Sequence, residues 1–132
     1  MEQKTNEATP LRPEGTRTLD AAMVNMDLSA LTVQIKEEET YMNNGRNSIT
    51  LFKSDGMRIV LMALKKGSEL KTHTAPGIIS VQVLEGYINF STAEQTSPRK
   101  AAQMLTLHAG IPHSVVAVED AIFLLTLSAP AK

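Results

Sequence analysis

The sequence predicts an all-β barrel or sandwich preceded by one short helix, and three observations carry that assignment. After Asn43-Asn44-Gly45 the chain becomes a series of short runs rich in Ile, Val, Leu and Phe, separated by turn residues at near-regular intervals. Runs of that kind are the pattern of packed antiparallel strands. Before the break, Val24, Leu28, Leu31 and Ile35 recur at the spacing of one helix face. The size fits a single core: 132 residues, 42% of them hydrophobic, form one domain and not two.

Residues Met1 to Thr18 carry only Met1, Ala8 and Leu11 as apolar side chains, among Pro10, Pro13, Gly15 and charges that cancel. This stretch (1–18) reads as a flexible N-terminal arm, and 19–132 as the folded domain. The arm lacks the apolar core of a secretory signal, and Glu2, Glu7 and Glu14 are unlike a mitochondrial presequence, so a cytoplasmic protein is expected. The helix is expected over Ser29 to Glu39, with Asp27 or Ser29 as its N-cap and Lys36-Glu37-Glu38-Glu39 facing water.

Strands are expected at Ile49 to Ser54, Met57 to Leu64, Leu70 to Thr74, Ile79 to Leu84, Tyr87 to Ser91, Gln103 to Leu107, His113 to Val118 and Ala121 to Leu127. Asp55-Gly56 is the strongest hairpin signal, a two-residue type I′ turn with positive φ at both positions. Glu85-Gly86 and Glu119-Asp120 read as further turns. Thr92 to Ala102 is polar, contains Pro98, and reads as an exposed loop. The runs Met57 to Leu64 and Ala121 to Leu125 are apolar on both faces, so both must be covered: one by the barrel interior, the other by the helix, a second copy of the chain, or both. A homodimer is the expected assembly.

Composition excludes several classes of function. With 13 basic against 14 acidic residues and 4% aromatics there is neither a basic field nor a set of stacking platforms, so nucleic acid is not an expected partner. No apolar run approaches the roughly 20 residues of a membrane span. The absence of cysteine removes thiol chemistry, and no nucleophile elbow or phosphate-cradling glycine loop is present.

The chemistry that remains rests on three histidines. His73 follows Gly67 and precedes Ala75, Ile79 and Gly86; His108 and His113 flank Gly110 in Leu107-His108-Ala109-Gly110-Ile111-Pro112-His113. With these segments the chain resembles the cupin superfamily, whose signature is a glycine, a His-x-His pair, a glutamate and a second glycine, followed by Pro-x-Gly-x-x-His and an asparagine. Gly67, His73, Gly86, Gly110 and His113 fall in that frame. Ala75 stands at the second histidine position, Ile79 at the glutamate, His108 at the proline and Ala117 at the asparagine. The resemblance implies a double-stranded β-helix, or jelly-roll, barrel of the small cupin_2 or RmlC-like type.

A divalent metal such as Zn, Fe, Mn or Ni in a barrel of this kind needs three or four converging nitrogen or oxygen donors. The resemblance supplies two, His73 and His113, with His108 as a third only if the turn before Gly110 brings it inward; Leu105 and Leu107 on the inner face would send it outward. The expected ligand site is an apolar lumen formed by Ile79, Val81, Val83 and Val115 and marked by His73 and His113. The expected function is binding or sensing of a small molecule beside a degenerate metal site, with no assured cofactor. The alternative is a metal-dependent oxygenase or isomerase using His73 and His113.

Overall fold

The computed structural model describes residues 5–6 and 17–129. Helix α1 spans Leu28–Glu37 and α2 spans Glu39–Asn44. The strands are β1 (Thr5–Asn6), β2 (Arg17–Thr18), β3 (Arg46–Lys53), β4 (Met57–Leu64), β5 (Glu69–His73), β6 (Ile79–Glu85), β7 (Tyr87–Ser91), β8 (Thr96–Lys100), β9 (Met104–Leu107), β10 (His113–Ala117) and β11 (Ala121–Ser128). Two sheets form the barrel, one in the order β3-β4-β11-β6-β9 and the other β5-β10-β7-β8. Every neighbouring pair is antiparallel, the arrangement of a jelly roll. Most of the proposed N-terminal arm lies outside the described residues; within it, β1 and β2 pair with each other.

Strand alternation divides the side chains of the five-stranded sheet between two cores. Leu64, Ile79, Val81, Val83 and Phe123 point between the sheets, where they meet Ile88, Phe90, Val115 and Ala117 of the smaller sheet. Ile49, Leu51, Leu61, Ala63 and Ile122 point outward and are covered by Ile35, Tyr41, Leu28 and Leu31. The two-sided apolar runs are therefore satisfied on their outer face by α1 and α2 of the same chain. Among the described residues no helix is long and apolar enough to cross a membrane.

Three local expectations need correction. The helical segment is two helices, not one. Asp27 caps α1 by accepting from the Ala30 amide at 3.1 Å, as expected, but Glu38 is extended (φ −73°, ψ 144°) and ends it. Buried Asn47 holds that break, its amide donating to the Ile35 carbonyl at 3.1 Å and to Glu38 Oε1 at 2.8 Å. A second helix then runs to Gly45, whose left-handed φ of 75° lets its amide close back on the Tyr41 carbonyl at 2.9 Å. Tyr41 anchors this short turn: it is buried against the sheet with Lys65 over its ring. Its phenol is held above the ordinary range by burial, then by the charges of Asp120 and Glu85.

The polar segment after Thr92 is not a loop throughout. Thr96–Lys100 is an edge strand paired with β7, and Pro98 is tolerated because an edge strand has one side free of ladder bonds. Asp55-Gly56 does connect β3 to β4, but Gly56 is absent from the positive-φ glycines, so the turn is not type I′. Ser54 shapes it instead. Its hydroxyl accepts from the amides of Gly56 and Met57, and its own amide donates to the Met57 carbonyl.

Two glycines with left-handed backbone make the packing testable. At Gly86 (φ +83°) a Cβ would lie inside the backbone of Asp120 and Ala121, whereas at Gly67 (φ +85°) it would meet open space. Gly86→Ala is expected to cost about 3 kcal/mol and Gly67→Ala about 1 kcal/mol, the first adding overpacking to backbone strain. Urea denaturation of both variants measures the difference.

Candidate functional site at the mouth of the barrel

β5 ends at His73 and β10 begins at His113, so the antiparallel register makes the two residues direct partners. Directly opposed residues share a face. That face is the interior, because His113 alternates with buried Val115 and Ala117. A register irregularity between His113 and Val115 lets Leu70 and His73, three apart, both serve the inner side. The two imidazoles meet edge to face, with centroids 4.4 Å apart and planes at 62°. His113 also stacks on Phe90 at 5.2 Å and is 4% exposed, while His73 is exposed at the rim.

Both rings are oriented in the same way. Nδ1 of His73 lies 2.7 Å from the Lys71 carbonyl and Nδ1 of His113 lies 2.9 Å from the Ile111 carbonyl. A carbonyl only accepts, so each Nδ1 carries the proton and donates it. In the neutral form each Nε2 is then left as an acceptor. The site offers two adjacent, oriented imidazole nitrogens, one buried and one at the water boundary, above an apolar floor.

The other expected residues divide. Ile79, Val81, Val83 and Val115 are gathered in the interior core, none more than 3% exposed. Val81, Val83 and Val115 form its deep layer, and Ile79 stands level with its register partners Leu107 and Leu127. The partly buried layer nearer the mouth is Ala75, Leu107 and Leu127, with Leu105 and Leu125 one step down their strands. Sequence reading missed Leu125 and Leu127 as wall residues, although the odd-numbered alternation Phe123, Leu125, Leu127 carries the signal. It also missed Phe90, which shares the inner parity of β7 with Ile88.

His108 lies between β9 and β10 and is exposed; it does not join the histidine pair as a third donor. Among the described residues no three His, Asp or Glu side chains converge as a metal group. Ala75 packs on the interior core and Ile79 is buried within it, so the two inward positions that the family motif would fill with donors hold hydrocarbon. The residues present do not fit a three- or four-donor metal site.

Three loops meet at this end. The Gly110 amide donates to the Ala75 carbonyl at 2.9 Å, tying the segment after His108 to the segment after His73. Ser128 and Ile78 exchange backbone and hydroxyl bonds, and the Ala129 amide reaches the Gly56 carbonyl at 2.9 Å, adding the β3–β4 hairpin. Gly77 lies so close to Ser128 that a Cβ would overlap its carbonyl. A cavity of about 460 Å³ opens there, lined in part by Lys53, Asp55, Met57, Arg58, Pro76 and Leu127.

No family model matches the sequence, and no curated protein matches it. Solved structures do. A conserved protein of unknown function from Streptococcus pyogenes is 28% identical, covers 85% of this chain and all of its own, and superposes with a TM-score of 0.69. An RmlC-like cupin from Desulfovibrio desulfuricans is 27% identical over 67% of this chain and 87% of its own, with a TM-score of 0.61. This chain is a member of the cupin superfamily. A cupin 2 conserved barrel domain protein from Leptotrichia buccalis is 29% identical, at a TM-score of 0.62, over 65% of this cupin and 42% of its own longer chain.

The donor shortage in this cupin is reversible by design. Ala75→His adds a third imidazole on the inner side, beside His73 and His113. The variant is expected to bind one Co²⁺ per chain with a tetrahedral or five-coordinate visible spectrum, and the parent chain to show neither. Titration followed by absorbance decides it.

Proposed function

We propose that this cupin binds or senses a small molecule at the inner mouth of its barrel, with His73 and His113 reading a hydrogen-bond donor on the ligand. The observation that carries this reading is the histidine pair itself. Two imidazoles lie with centroids 4.4 Å apart and both Nδ1 protons committed to backbone carbonyls, so each neutral ring keeps its Nε2 as a free acceptor beside the other ring. A few polar groups converging on an apolar wall is the usual form of a small-molecule site. Solved cupins named for varied or unknown roles support the scaffold; the ligand class is read from this chain's own residues.

A metal-dependent oxygenase or isomerase is the competing reading. Its support is the Nδ1–carbonyl orientation, which is also how metal-ligating histidines are held. Against it stands the donor set, which stops at two. Metal analysis of protein purified without a polyhistidine tag separates the readings: a stoichiometric transition metal lost on His73→Ala or His113→Ala favours the enzyme.

A thermal-shift screen of a metabolite library against the parent chain, His73→Leu and His113→Leu tests the binding reading. A ligand present at about 100 times its Kd stabilises the parent by roughly 2.7 kcal/mol. The expected result is a clear rise in Tm for the parent that both variants lose. Compounds that stabilise all three chains equally would place binding elsewhere and defeat the proposal.

A further inference from the structure

The geometry points to a carboxylate as the polar group of the ligand, held at the rim by Lys53 and Arg58. This rests on the reading that the barrel mouth binds a small molecule, and it specifies what kind. Lys53 and Arg58 are direct partners across β3 and β4, so their side chains leave the same face of the sheet. Arg58 is in turn the partner of Leu127, which packs on the interior core; the shared face is therefore the inner one. Both cations line the 460 Å³ cavity, whose apolar part is Leu127, Met57 and Pro76.

Like charges set directly opposite each other are unfavourable in a sheet. An arrangement that keeps two of them on one cavity wall is relieved by an anion between them. Asp55, at the hairpin tip, is the one carboxylate among the residues that line the cavity beside these two cations. One net positive charge remains, which matches a monoanionic carboxylate better than a dianionic phosphate. Guanidinium and ammonium together also supply charge-assisted donors to both carboxylate oxygens.

The cavity and the histidine pair belong to one end of the barrel. Ile79 is the register partner of both Leu107 and Leu127, and Pro76 sits in the loop between His73 and Ile79. Exposed Met57, Ile78 and Ile111 stand on the three segments that meet there. A ligand with an anionic head, a short apolar body and a donor group fits this order: head on Lys53 and Arg58, body on Leu127, donor on the imidazoles.

The test uses 6-hydroxyhexanoate, 4-hydroxyphenylacetate and 3-(4-hydroxyphenyl)propanoate, each beside its own primary amide, titrated into the full chain by calorimetry and by ¹H–¹⁵N NMR. Each acid is expected to bind about tenfold more tightly than its amide, and the preference to shrink as salt is raised. Lys53→Met and Arg58→Met should each erase the preference by weakening the acid alone. Lys53→Arg and Arg58→Lys, which keep the charge, should retain it. Amides that bind as well as acids, with binding lost on His113→Leu, would overturn the carboxylate assignment and leave the binding site standing. Acids whose affinity ignores both methionine variants would also overturn it. A panel in which nothing binds would overturn the carboxylate assignment, while the binding reading stands or falls on the thermal-shift screen of the parent and its two histidine variants.

Discussion

The five-stranded sheet has to be buried on both faces, and the rest of the molecule follows from that requirement. Its central strand, β11, sends Phe123, Leu125 and Leu127 inward and Ile122 and Leu124 outward, so neither face can be left to water. The helix pair answers one face and the smaller sheet the other. Closing the sheets over the inner face confines polar groups to the ends of the strands. That is where His73, His113, Lys53 and Arg58 are found.

The same requirement explains why the histidines are so well placed without a metal ligand set. Their backbone positions are fixed by the β5–β10 ladder, and their ring orientation by bonds to carbonyls two residues earlier in the chain. Neither device needs an ion. What a metal would add, further donors at the positions of Ala75 and Ile79, has been given over to packing. Both rings are thereby held in one orientation in advance, which under the proposed role lowers the ordering cost of binding.

Much of this was legible in the sequence, and the failures have physical causes. Period-two alternation in Ile79-Ser80-Val81-Gln82-Val83 and the doubly apolar run at Met57 to Leu64 report burial directly, so the strands and the need for an outer cover could be read off. Thr96–Lys100 could not, because an edge strand buries too little to demand apolar residues, and Pro98 speaks locally against any strand. The second helix is too short for its spacing to register; it exists because Tyr41 finds the sheet and Gly45 ends the turn. The Asp55-Gly56 turn misled because the hydroxyl of Ser54, one residue earlier, supplies the bonds that a type I′ geometry would otherwise provide. Of the site, the histidines were visible through family spacing. Lys53 and Arg58 were not, since only strand register shows that residues on either side of a hairpin share an inner wall.

The seam formed by Ser128, Ala129, Gly56 and Ile78 has a practical corollary. It stitches the last described strand, up to Ala129, to the rim of the opening. Under the proposed binding role, a bulky fluorescent or affinity fusion joined soon after that strand is expected to hinder ligand entry more than one placed ahead of the helix pair.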